Sequence, residues 1–193
     1  MRLNAFSYYV DFAISAALVA LLAGTTFATG NAMQAAQWLL VVCLGFAGWT
    51  LIEYFVHRVI YHNVPYFRDL HAAHHAEPAA HIGAPPIIGI VLILMVFFTP
   101  IVTTSFIVAS GLTTGMLAGY MTYMLVHHAA HHWRLPPTFW LTRIGRHHAL
   151  HHHHSEQCNF GITTSIWDRM LGTAFERRGA TSHPSGARSE VTP

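Results

Sequence analysis

The sequence predicts an all-α integral membrane protein: four transmembrane helices in two hairpins, with a helical, histidine-rich cap on the cytoplasmic face. Three observations lead there. Of the 193 residues, 53% are hydrophobic and only 9% charged, against about 25% charged in an ordinary soluble domain. Such a chain cannot clothe a water-facing surface, and the bilayer is its natural solvent. The apolar residues gather in four runs of about 20 residues, the length that crosses a hydrocarbon core. Ten of the 17 histidines fall in four clusters where an apolar run meets polar sequence.

The first run covers about residues 9–27 and opens beside Tyr8 and Tyr9. The second covers about 38–56 and continues into His57, and the connection from Ala28 to Gln37 has no charge. The third, about 87–108, contains Pro100, whose missing N–H predicts a kink. Ala109-Ser110-Gly111 forms the expected loop to the fourth run, about 112–131, which carries on to His132. Arg2, Arg58 and Arg68 flank one side, and Arg134, Arg143, Arg146, Arg169, Arg177 and Arg178 follow the fourth run. Neither opposite connection has an arginine, so the positive-inside rule puts both termini and every histidine cluster in the cytoplasm. The expected organisation is one membrane domain, 1–178, with cytoplasmic inserts 57–86 and 132–178. From 179 to 193 the chain loses apolar periodicity and is expected to be a disordered tail.

Composition also excludes partners. A formal charge of +2 is too small for nucleic acid. Cys43 lies in an apolar run and Cys158 in a polar loop, which supports neither a disulfide nor a cysteine-rich zinc module. No cleavable signal is expected, since the first apolar stretch has no basic residue before it beyond Arg2 and no clear cleavage site. Lysine is absent, which points to a GC-rich bacterial genome and a bacterial inner membrane. No Gly-x-Gly-x-x-Gly occurs, so an oxidase built on this chain needs electrons from a separate protein.

The clusters read His57-x4-His62, His71-x2-His74-His75, His127-x3-His131 and His148-x2-His151-His152. Residues at i, i+3 and i+4 share a helix face, which suits the second, third and fourth. His57 and His62 are five apart, so one is expected beyond a helix end or across a bend. Ten imidazoles can give five ligands to each of two ions and leave a position open. An all-nitrogen set suits zinc, copper, nickel or iron and disfavours magnesium and calcium. Spacing alone leaves iron and zinc both open.

The run Glu53-Tyr-Phe-Val-His57-Arg58 with His62, then His71-Ala-Ala-His74-His75, resembles the membrane fatty acid hydroxylase/sterol desaturase superfamily. So do Tyr123-Met-Leu-Val-His127-His-Ala-Ala-His131-His132 and His148-Ala-Leu-His151-His152. The closing stretch Asn159-Phe160-Gly161-Ile-Thr-Thr-Ser-Ile-Trp167-Asp168-Arg-Met-Leu-Gly172-Thr173 is similar too. The resemblance covers roughly Glu53 to Thr173. It implies two iron ions that use O2 and external electrons to hydroxylate a lipid drawn from the bilayer. The implied ligands are His57, His62, His71, His74, His75, His127, His131, His148, His151 and His152. His128 and His132 are the alternative register, one residue along. Zinc binds such ligands more tightly than Fe²⁺, so isolated protein can carry zinc instead. A desaturase on the same centre is the alternative activity. A membrane metal transporter or metal-binding protein is the alternative of another class, although Asp11 and Glu53 are the only charges in the spans and both lie near ends.

Around the ligands, Glu53 is expected either to fix a ligand tautomer or to make a polar contact to Arg58 or another cytoplasmic residue. Asp168 is expected to pair with Arg169 as a loop clasp, with Trp167 as an interfacial anchor. Asn159 reads as a turn residue that could also hold a ligand helix in place. His147, His153 and His154 are expected outside the ligand set, and His81 and His183 as plain loop residues.

Overall fold

The computed structural model describes residues 5–81, 87–103, 105–134, 136 and 139–176. The expected tail with His183, together with Arg2, Arg177 and Arg178, lies outside the described residues. Among those described, the regular structure is helical, with no strand.

Helix α1 (Ala5–Thr29) and helix α2 (Ala32–Phe55) are joined by Gly30 and Asn31 alone. The expected connection 28–37 is therefore mostly helix. Hydropathy marks where a helix stops being greasy, but caps mark where it stops. Asn31 accepts the Gln34 N–H (3.0 Å) and donates its own N–H to the Gln34 side chain (2.9 Å). The segments Tyr8–Thr29 and Ala32–Tyr61 are long and apolar enough to cross a membrane; Ile88–Phe98 is a shorter apolar segment.

After Phe55 the helix runs on to Tyr61 with His62 as its C-cap, so one of the pair does lie past a helix end as expected. The helix widens there into a π-helical turn, Val56–Tyr61. A π-turn bonds i to i+5, the spacing of this pair, so both imidazoles reach one side. Helix α3 (Pro65–Ala76) follows and carries the second cluster, with Pro65 in its first turn where no N–H is missed.

The third run is shorter than expected. It comprises α4 (Ile87–Ile93), a π-turn (Leu94–Phe98) and α5 (Thr99–Val102). The expected kink at Pro100 is taken up as that π-turn, just before the residue whose nitrogen cannot donate. Helix α6 then runs from Phe106 to His132, capped by the Ser105 side chain, which accepts the Val108 N–H. The expected loop Ala109-Ser110-Gly111 is instead buried within α6. Its smallness serves contact: Gly111 lies against the Trp38 carbonyl and the Val41 side chain.

Helix α6 is the centre of the bundle, with α2 and α1 along its sides and α7 (Trp140–His153) at its end. A Cβ on Gly115 would sit 2.1 Å from the Val42 carbonyl oxygen, and one on Gly45 2.5 Å from that of Leu112. The two backbones touch, which side chains would forbid. Because neighbours enclose α6, it carries Ser110, Thr113 and Thr114 in its buried faces. Ile90 and Ile93 of α4 pack on Met116, Leu117, Tyr120 and Met124 of α6. A second cluster, Val126, Ala129, Leu141 and Ile162, fastens α7 and the closing loop to the end of α6. Short helix α8 (Ile166–Met170) completes that loop.

Candidate metal centre and its cavity

The ten sequence-predicted histidines converge, and they do so in two groups of five. His57, His62, His71, His75 and His151 form one; His74, His127, His131, His148 and His152 form the other. Within each, one nitrogen per residue lies within 4.8 Å of all the others. The helix spacing explains the division. In α3, His71 and His75 are one turn apart and serve the first group, while His74 points to the second. In α7, His148 and His152 serve the second group and His151 the first.

The inward atoms are Nε2. His71 Nε2 lies 3.0 Å from those of both His57 and His75, and His62 Nε2 3.3 Å from that of His151. In the second group, His148 Nε2 is 3.1 Å from His131 and 3.0 Å from His152, and His127 is 3.0 Å from His74. At metal–nitrogen bonds of about 2.1 Å, donors at right angles sit about 3.0 Å apart. An all-imidazole set with this spacing fits a pair of five-liganded transition ions, iron among them.

The closing loop holds the first group from outside. The Phe160 carbonyl meets His57 Nδ1, the Cys158 carbonyl lies 2.8 Å from His151 Nδ1, and Glu156 Oε1 lies 3.4 Å from His75 Nδ1. A carbonyl accepts only, so Nδ1 keeps its proton and Nε2 offers its lone pair. Burial, then the neighbouring imidazoles, pushes His74 down to about 3 and His75 to about 4; burial takes His151 to about 4 despite the Cys158 carbonyl. His71, His148 and His152 are lowered for the same reasons. The ligand form of imidazole, the neutral one, is thus favoured throughout.

Asp168 organises this loop, although not through Arg169 as expected. Its carboxylate is fully buried and accepts the Phe160 and Gly161 N–H groups (both 2.8 Å), the Thr173 hydroxyl and His147 Nε2 (3.0 Å). Burial alone would raise its pKa, but these bonds together hold it below the ordinary carboxylate value. A Cβ on Gly161 would lie 2.9 Å from that carboxylate and 2.1 Å from the Thr164 carbonyl, so glycine alone lets the strap close. Trp167 anchors the loop to the bundle by donating to the Thr50 hydroxyl, 3.0 Å away.

Glu53 makes the expected polar contact, to the second insert rather than to Arg58, and among the described residues it hydrogen-bonds no ligand imidazole directly. Its Oε1 accepts the Ile162 and Thr163 N–H groups at 2.6 and 2.9 Å, while Arg58 donates to the Tyr54 hydroxyl. It reaches His57 only by steadying the loop that presents the Phe160 carbonyl. Asn159 unites both of its readings. It adopts a left-handed φ of 58°, donates to the His147 carbonyl at the back of α7 and accepts the Phe175 N–H.

Beside the centre lies a cavity of about 580 Å³. Trp49, Ile52, Leu92, Val96 and Phe97 line it, and so do His57 and His127, one from each group of five. Asp11 is a polar point in that wall: one carboxylate oxygen accepts from the Tyr120 hydroxyl and the other, buried, has no partner among the described residues.

Fold and site together define a helical, membrane-type protein with a ten-histidine centre opening on an apolar cavity. The chain belongs to the fatty acid hydroxylase family, whose model matches residues 42–173. It is 32% identical over 160 residues to the ceramide very long chain fatty acid hydroxylase scs7 of Schizosaccharomyces pombe, covering 72% of this chain and 44% of that protein. It is 30% identical to the dihydroceramide fatty acyl 2-hydroxylase FAH2 of Arabidopsis thaliana, covering 69% of this chain and 60% of the relative. The solved structure of full-length scs7p, in which only the hydroxylase domain is visible, superposes with a TM-score of 0.74 at 25% identity. That match covers 88% of this chain and 67% of the scs7p chain. The chain thus spans about half the length of the curated relatives it matches.

Proposed function

We propose that this chain is a membrane-bound oxidoreductase that hydroxylates a C–H bond of a fatty acyl or other lipid substrate. The centre holds two iron ions on the ten histidines, uses O2 and draws electrons from a separate protein. The observation that carries this is the opening of both histidine groups, through His57 and His127, onto one apolar cavity. The family membership and the printed activities of the relatives support it.

Bound iron supplies the oxidising chemistry that inserts oxygen into an unactivated C–H bond. The rest falls to the chain. Trp49, Ile52, Leu92, Val96 and Phe97 exclude water and hold an extended acyl chain, so that one carbon rests beside the centre. The Asp11 oxygen that has no partner among the described residues accepts a hydrogen bond from a neutral hydroxyl or amide N–H on the substrate. The closing loop keeps His57 and His151 in the ligand tautomer throughout the cycle. This reading takes residues 1–178 as one domain with four spans, two cytoplasmic inserts and both termini in the cytoplasm of a bacterial inner membrane.

Lipid extracts from cells expressing the chain with a working electron donor test the activity. A product about 16 mass units heavier (one oxygen gained) is expected. A product about 2 units lighter (two hydrogens lost) would make the chain a desaturase on the same centre. No new product would overturn both.

A further inference from the structure

His81, His128 and His132 belong to neither group of five, yet they too converge, with one nitrogen of each within 4.8 Å of the other two. The His128 and His132 rings stack with centroids 4.3 Å apart, and His81 stacks on His132 at 5.6 Å. Tyr8 of α1 closes the group: its ring centroid is 4.5 Å from that of His81 and its hydroxyl 3.2 Å from His128 Nδ1. His81 Nε2 is buried without a hydrogen-bond partner among the described residues.

We infer that His81, His128 and His132 form a third metal site, distinct from the ten-histidine centre, for a zinc-class divalent cation. The geometry follows from α6. A step of one residue turns a helix by about 100°, so the His127 and His131 face looks into the centre while His128 and His132 face away. A pair at i, i+4 is the helical chelate that binds zinc in other settings. His81, from the segment after α3, completes three imidazoles, and a tetrahedral ion keeps a fourth position for water. The donor set favours zinc or copper over magnesium or calcium. Tyr8 supplies the outer partner that orients a ligand imidazole. The buried nitrogen of His81, without a partner among the described residues, gains one in the ion. Such an ion ties α1, α6 and the segment after α3 together, and Tyr8 also lines the cavity, so the clasp sits at its rim. The site does not depend on the proposed activity.

The test is zinc per chain in detergent-purified full-length protein, stripped, re-equilibrated with zinc sulfate, desalted and counted by elemental mass spectrometry. The unmodified chain should hold one more zinc than His81→Gln/His132→Gln and one more than His128→Gln. Equal counts would overturn the third site. The number the variants retain tests the ten-histidine centre, so the two can fail separately. Should a variant not fold, zinc should protect His81, His128 and His132 of the unmodified chain from diethylpyrocarbonate, read by peptide mass; unprotected rings would equally refute the site.

Discussion

A carboxylate that touches no ligand decides how the first histidine group is held. Asp168 gathers two backbone N–H groups, a hydroxyl and His147, and the loop it gathers presents carbonyls to His57 and His151. Asp168→Ala strands the Phe160 and Gly161 N–H groups and should cost about 3 kcal/mol in thermal unfolding. Asp168→Asn keeps part of the set and should lower metal affinity about 10–100-fold, as losses of such outer partners do. Glu53→Gln keeps an acceptor for Ile162 and Thr163, so its unfolding temperature should stay near that of the unmodified chain, whereas Glu53→Leu should lower it. The imidazoles make a pH prediction. In the folded chain His74, His75 and His151 take up protons only near pH 3–4, whereas unfolded imidazole does so near 6.5. Their contribution is therefore complete above about 6.5 and is lost as pH falls towards 4. Bound metal should accordingly remain at pH 5.5 and leave near or below pH 4, measured by dialysis and elemental analysis; half-release at 6.5 would contradict this. At this scale the ligand spacings were legible in the sequence, because they are local helix arithmetic. The particular partners of Glu53 and Asp168 were not, because they include backbone groups of a loop whose path no spacing reveals.

The helices divide into those whose sequence says how they end and those whose sequence misleads. Hydropathy found the apolar stretches of α1 and α2 but put α2's start near 38 rather than at Ala32, and it put a loop at Ala109-Ser110-Gly111, where small residues mark a tight helix crossing instead. The signal was there: Gly111, Gly115 and Gly119 recur every four residues, the spacing of a close-packed seam. The π-turn at Val56–Tyr61 was half legible, since a five-residue gap between ligands demanded something other than an α-helix. Gly115→Leu should prise α2 from α6 and abolish folded protein in size-exclusion chromatography, since even a Cβ there lies 2.1 Å from the Val42 carbonyl. A Cβ on Gly48 of α2 meets nothing within 4 Å. Gly48→Ala should thus be neutral or stabilise by about 0.5–1 kcal/mol, the ordinary gain of alanine over glycine in a helix.

Across the whole molecule, the bundle sets an apolar cavity under a histidine cap, and the proposed topology puts that cap in the cytoplasm. In a background with Cys43 and Cys158 replaced by serine, Met33→Cys at the α1–α2 turn and Glu156→Cys in the closing loop should label from opposite sides. A membrane-impermeant maleimide should reach the first only from outside intact cells and the second only after lysis. Labelling of both from one side would refute the two-hairpin arrangement. The arginine asymmetry that predicts this orientation was legible along the sequence, whereas the cavity was not: its walls come from α1, α2, α4 and α6 at once. Oxygen insertion at the ten-histidine centre is the central claim, and the source of the inserted atom tests it most directly. Membranes bearing the chain and an electron donor, supplied with ¹⁸O2, should yield hydroxylated lipid about 2 mass units heavier than under ordinary oxygen, and His151→Ala should yield none. Label arriving from H2¹⁸O instead, or product undiminished in His151→Ala, would contradict the account.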